Sequence, residues 1–346
     1  APLNEQGLDA ILRSHSSNKR GKQIGRFGLG FKSLLKLGGR IDLFTKSAGA
    51  VRFDPDRCKQ ELRQRFSVDH APGLRMAWAL PDGERVDDPV CEMLSWAETI
   101  VRVEIGAEDL LQHVVTEIQA FPSEFLLFSP VAVSLTLDDG TTPAREVRLA
   151  VQDDEHILFD GEDISRWRVV HRNVEVTDQR AIADATHLHA RESVPISWAV
   201  PIDGRREEIG RFWAFFPTQT QTHLPGILNA PWKLNSDRNA IIGGEWNALL
   251  MLEASHLVAH VLPSLATQED PARPLDSFPR QLDRKDEDAA PLIESLWTLL
   301  ESAHVIPDTT GALRQARTLW RYPLDAQHLA ISWSQLAKSA SPCPIV

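Results

Sequence analysis

The chain has 346 residues, 42% of them hydrophobic and 25% charged, the balance of a globular protein with room for two or three domains. No apolar run reaches the roughly 18 residues of a membrane helix, and no basic segment leads into an apolar stretch as in a signal peptide. The net charge of −11 argues against a general nucleic-acid binder.

Residues 4–14 read as a short helix. Asn4 caps it, Glu5 falls in its first turn, and Leu8, Ile11 and Leu12 share a face. Ser14–Gln23 is polar and basic without apolar periodicity, a loop leading into a glycine turn. A second helix is expected from about Gly28 to Leu37, ended by Gly38-Gly39. Strands are expected at 41–46, 51–54, 74–80 and 99–105, between Gly, Pro and Asp turns. Leu110, Leu111, Val114, Val115 and Ile118 have helical spacing within 107–120. Val131–Leu137 reads as a strand, closed by a turn at Asp138-Asp139-Gly140. The mixture lacks a β-α-β rhythm, so the expected class is α+β.

A second domain is expected from residue 140, with strands at 145–151, 157–159, 167–176, 193–200 and 210–216. Residues 244–262 predict an amphipathic helix carrying Trp246, Leu249, Leu250, Leu257, Val258 and Val261. Residues 266–288, rich in Pro, Asp and Arg, read as a linker, and 290–302 as a helix. The expected organisation is therefore 1–139, 140–265, a linker over 266–288, and a partial C-terminal unit over 289–346. The chain opens at Ala1 and stops at Val346 as a fragment would. Cys58, Cys91 and Cys343 show neither metal-type spacing nor a disulfide framework, which fits a reducing cytoplasm.

The most informative stretch is Ile24-Gly25-Arg26-Phe27-Gly28-Leu29-Gly30-Phe31-Lys32-Ser33. Three glycines at G-x-x-G-x-G spacing run into an apolar segment. Glycine reaches positive φ and lets a ligand approach the backbone, and a helix N-terminus gathers unpaired N–H groups at a positive dipole end. The loop proposes a phosphate ligand. Residues 1–46 hold nine Lys/Arg against three acids, a net +6, so the other 300 residues carry −17 within the total of −11. The basic cluster makes either a solvated face or an electropositive mouth for a polyphosphate. A P-loop fails because Phe31 stands between Gly30 and Lys32-Ser33 and turns the lysine by roughly 100°. A Rossmann fingerprint fails because the glycine order is reversed.

The stretch Ser17–Ser33 resembles the second glycine box of the GHKL ATPases, a superfamily that includes DNA gyrase, MutL, histidine kinases and the ninety-kilodalton heat-shock chaperone. The text Gly25-Arg26-Phe27-Gly28-Leu29-Gly30-Phe31-Lys32-Ser33 is most like the sacsin-like branch, and Ala1–Leu8 looks like the segment after the first glycine box there. The resemblance spans most of residues 1–250. It implies a GHKL-type α/β sandwich, incomplete here, and then an α/β domain like the chaperone middle domain. It implies ATP as ligand, bound by Gly25, Arg26, Phe27, Gly28, Leu29, Gly30, Phe31, Lys32 and Ser33, with Lys19 in a lid that closes over it. Thr99 matches the family threonine near the adenine; an ordinary strand threonine is the other reading.

Leu224–Arg238 resembles the middle-domain catalytic loop of the same branch, where an arginine reaches the terminal phosphate. Arg238 is the candidate, with Lys233 a weaker one; a surface ion pair with Asp237 is the alternative. The family's water-activating glutamate, its Mg²⁺-holding asparagine and its adenine-reading aspartate would lie before Ala1, so Mg²⁺ has no expected ligand in these residues. The resemblance further implies a protein client and a homodimer. The leading expectation is an ATP-binding, ATP-hydrolysing, chaperone-like switch. The alternatives are a non-catalytic scaffold with a degenerate nucleotide fold and a DNA-acting GHKL ATPase. His187-x-His189 could place two ligands on one strand face, but nothing nearby completes a metal site.

Overall fold

The structure is a computed structural model. It describes residues 5–12, 31, 34–46, 49–67, 76–80, 89–130, 132–140, 143–189, 193–202, 209–279, 287–308 and 310–319. The chain is α+β and divides into two compact units, Ala1–Phe121 with Leu137–Pro143, and Pro122–Thr136 with Ala144–Val346.

The first unit contains α1 (Glu5–Leu12), β1 (Gly38–Thr45), β2 (Gly49–Phe53), α2 (Pro55–Phe66), β3 (Trp78–Ala79), α3 (Pro89–Met93), β4 (Thr99–Ile105) and α4 (Glu108–Gln119). Its sheet is antiparallel in the order β3-β2-β1-β4. Ile41 and Phe53, paired across β1 and β2, centre a core that takes Leu8, Ile11 and Leu12 of α1 together with Phe31, Leu34, Val51 and Val103. The expected second helix survives among the described residues as a helical position at Phe31 and a 3-10 turn over Leu34–Leu37. Gly38-Gly39 does not cap it but opens β1. Gly38 has φ +86°, and a Cβ on Gly39 would stand 2.2 Å from the carbonyl oxygen of Glu104, so the pair admits β4 at close range. Helix α2 has no apolar stripe to announce it. Asp54 nonetheless caps it, its carboxylate accepting from the backbone N–H of Asp56 and Arg57, with Pro55 at the first helical position.

The second unit contains α5 (Phe125–Phe128), β5 (Ser134–Leu137), β6 (Arg145–Gln152), β7 (Glu155–Asp160), β8 (Asp163–Glu175), α6 (Gln179–His189), β9 (Ser193–Pro201), β10 (Arg211–Trp213), β11 (Pro217–Gln221), β12 (Ile227–Asn229), α7 (Glu245–Val261), α8 (Arg273–Asp276), α9 (Ala290–Leu300), β13 (His304–Pro307) and β14 (Leu313–Gln315). An eight-stranded sheet runs β11-β10-β12-β9-β8-β7-β6-β5. β10 and β12 are parallel, and the pairs from β12 through β6 are antiparallel. One face packs Trp167, Val169, Ala199, Trp213 and Ile227 under α5. The other packs Ile196, Trp198, Phe212 and Leu228 under α6, α7 and α9. Burial of each such large side chain contributes about 1.5–3 kcal/mol.

Residues 266–279, expected as linker, are packed instead. Pro274 and Ser277 are buried, the Arg273 guanidinium donates to the Ile202 carbonyl, and Phe278 meets Trp297 edge-on at 6.0 Å. Leu292, Ile293, Leu296 and Val305, expected in a separate unit, join the core of β9 and α7. The helical run Glu245–Leu265 is long and apolar enough to span a membrane, with mean hydropathy 1.4, but half of it is buried inside this unit, as a core helix is.

Candidate functional site

Two sets of expected residues fall on different units. In the first unit, the register Ile41↔Val103, Leu43↔Val101, Thr45↔Thr99 puts Thr99 on the face of the sheet that carries the Ile41–Phe53 core. Phe31, the last residue of the glycine motif within the described residues, packs edge-on against Phe53 at 5.5 Å on that face. Thr99 lies four positions along the strand from Val103, roughly 13 Å at strand rise. Its Oγ1 is buried and has no hydrogen-bond partner among the described residues. A strand hydroxyl left in that state costs free energy unless something completes it. Lys19, Gly25, Arg26, Phe27, Gly28, Leu29, Gly30, Lys32 and Ser33 lie outside the described residues.

The opposite face of the same sheet is charged. Asp42 is buried on β1, directly across from Arg52 on β2 and Arg102 on β4. Arg52 donates to its carboxylate at 2.7 and 3.0 Å, and Arg102 at 2.7 Å. Burial alone would push the Asp42 carboxyl up; the two guanidinium groups outweigh it and hold it below the usual range. Arg102 also lies 5.2 Å from the Phe44 ring, and Arg40 pairs with Glu104 at 2.9 Å. A cavity of about 350 Å³ opens at the Thr45–Thr99 end, lined by Phe44, Lys46, Cys91, Glu92 and Ile100. Phe44 and Ile100 alternate with Thr99 along their strands, so this cavity adjoins the charged face and not the Thr99 hydroxyl.

In the second unit, Arg238 sits at the tip of a tight loop between β12 and α7. Its backbone is left-handed at φ +58°, and its N–H donates to the Asn235 carbonyl at 3.1 Å. The Asn235 side chain closes the loop by accepting from the N–H of Asn239 and Ala240, while Leu234 and Ile241 bridge its base. The arginine is exposed. Below it, Asn247 of α7 accepts from the Lys233 N–H and donates to the carbonyls of Lys233 and Ile242. Lys233 does not project with Arg238: its ammonium bonds the Asp184 carboxylate at 2.5 Å and the Asp184 carbonyl. The second oxygen of Asp184 accepts from Trp246 N–H at the start of α7. Gly244, at φ +139°, leaves room for that carboxylate; a Cβ there would stand 2.4 Å from it.

Asp184 and Asn247 escape a reading of the sequence because they act on groups far along the chain, Asp184 on Lys233 and Trp246 and Asn247 on Lys233. The signal available is Asn235, an Asx residue opening a polar four-residue turn. His187 and His189 fall on α6 rather than on a strand, so a two-residue spacing does not place them on one face. Among the described residues no group of three or more His, Cys, Asp or Glu is arranged to hold a metal ion. In comparisons with known proteins, no family model, curated protein or solved structure matched this chain.

Proposed function

We propose that the first unit binds ATP in the manner of the GHKL ATPases and that the protein is a nucleotide-dependent, chaperone-like switch, with Arg238 meeting the terminal phosphate. The observation that carries this reading is the buried Thr99 hydroxyl without a partner among the described residues, on the sheet face that also holds Phe31 of the glycine motif. In this reading the base lies at Thr99, and the glycine motif holds the phosphates as the resemblance implies. The hydrogen-bonded loop that presents the exposed Arg238 at positive φ supports the second half of the reading. A guanidinium placed on the transferring phosphoryl group would contribute about 10³–10⁵ in rate. Mg²⁺ would accompany ATP.

The test separates the two halves. Titration calorimetry with ATP and ADP reads binding to the first unit, and Arg238→Ala reads the contact to the terminal phosphate. The reading expects Arg238→Ala to weaken ATP about tenfold, the worth of one charged hydrogen bond, and to leave ADP unchanged. Equal effects on both nucleotides would remove Arg238 from the phosphate. Binding without turnover in the chain extended at its N-terminus would favour the scaffold reading.

A further inference from the structure

A groove of about 260 Å³ in the second unit is lined by Trp167, Arg211, Trp213, Pro217 and Ile227, with Glu124 at its side. Trp213 is 5% exposed; its indole N–H bonds no group among the described residues, and that nitrogen is not one of the fully buried polar atoms left without a partner. The other buried tryptophans behave differently. Trp167 donates to Ser165, Trp198 to the Pro225 carbonyl, Trp232 to the Leu228 carbonyl and Trp246 to the Pro231 carbonyl. Buried indole N–H groups ordinarily find such partners. Arg211 stands two residues from Trp213 on the same face of β10, and it too has no ion pair or side-chain hydrogen bond among the described residues. Its counterparts Arg145, Arg166 and Arg172 on the same sheet are each paired with an acid. Arg145 is paired with Asp160, and the nearby Glu124 carboxylate also raises its pKa.

Two unfilled donors, one of them cationic, therefore share a groove whose remaining walls are indole, proline and isoleucine. Arg211 is the one cation among the lining residues and can meet one negative charge, while the Glu124 carboxylate at the side disfavours a phosphate dianion. We propose that this groove binds a carboxylate joined to an apolar body, either a small apolar acid or the C-terminal residue of a peptide. Arg211 and the Trp213 N–H take the carboxylate oxygens, and Trp167, Pro217 and Ile227 enclose the apolar part. The volume suits a group of that size and no larger. This site is independent of the nucleotide reading.

The test uses ¹⁵N-labelled protein and follows indole N–H resonances, the Trp213 signal being the one absent from Trp213→Phe. The probes are 3-phenylpropionate, 3-phenylpropanamide, N-acetyl-Gly-Gly-Phe with a free carboxylate, and the amide of that peptide. The Trp213 resonance should move with at least one free acid and not with its amide. Arg211→Gln, a change at an exposed position, should weaken that binding about tenfold. A response to the small acid alone identifies a free ligand, and a response to the peptide acid alone identifies a chain terminus. A Trp213 signal unmoved by both acids, moved equally by acid and amide, or insensitive to Arg211→Gln would overturn the proposal.

Discussion

Thr99 and Arg238 are among the described residues that spend stability on an unpaired group or a strained backbone. Thr99 buries a hydroxyl with no partner among the described residues, and Arg238 holds a left-handed backbone without being glycine. If ligand contact is what retains them, stability and binding must move in opposite directions. Thr99→Val should raise the melting free energy of the first unit by about 1 kcal/mol and weaken ATP about fivefold. Arg238→Gly should be more stable than Arg238→Ala by about 1 kcal/mol, because glycine relieves the positive φ, while both lose the preference for ATP over ADP. Chemical denaturation and calorimetry on the same samples check each pair. Asp308 is the contrast, a buried group whose role is structural. Burial raises its pKa, but donors from Thr310, Arg314 and Ala312 more than offset this and hold it at about 2, against 3.8 when unfolded. A depressed carboxyl stabilises fully above the unfolded value and loses its contribution as pH falls through the folded one. Asp308→Asn should therefore cost about 2 kcal/mol at pH 7, and the gap to the parent should close near pH 2.

At the scale of elements, the central strand β1 is buried along both faces from Ile41 to Thr45, which forces its one acid to be paired from both neighbours. Asp42→Ala leaves Arg52 and Arg102 facing each other without their shared carboxylate. It should destabilise the first unit by about 3 kcal/mol and leave the second unit's transition in place, read as separate melting steps in differential scanning calorimetry. The loop under Arg238 depends on Asn247 in the same way. Asn247→Ala strands the carbonyls of Lys233 and Ile242, and should cost the second unit about 2–3 kcal/mol.

What the sequence discloses about these elements tracks their physics. β4 carries an apolar pattern that matches its period; α7, expected as amphipathic, is apolar almost all round and is legible by the length of its apolar run. Helix α2 has almost no apolar face, so only Asp54-Pro55 could announce it. Gly38-Gly39 looks the same to a reader whether it ends a helix or lets another strand come close. Residues 266–279 hide Pro274 and Phe278 among polar neighbours, and their packing depends on β9 and α9, far away in the chain. Of the candidate site, Arg238 and Thr99 are proposed through the resemblance alone. Beneath the Arg238 loop, Asn235 has the signal of an Asx turn, but Asp184 and Asn247 have none, because their partners lie far along the chain.

For the molecule as a whole, the charge distribution bears on the proposed ligand. The first 46 residues carry +6 in a chain of −11, a distribution suited to attracting a polyphosphate to one place, and one whose pull should weaken with salt. The central claim is that the first unit is an ATP site. Calorimetric titration of MgATP into the parent chain, Gly28→Val and Thr99→Val tests it most directly. The account predicts saturable one-to-one binding to the parent, none to Gly28→Val, and binding about fivefold weaker to Thr99→Val. No binding to the parent, or equal binding to all three proteins, would contradict it.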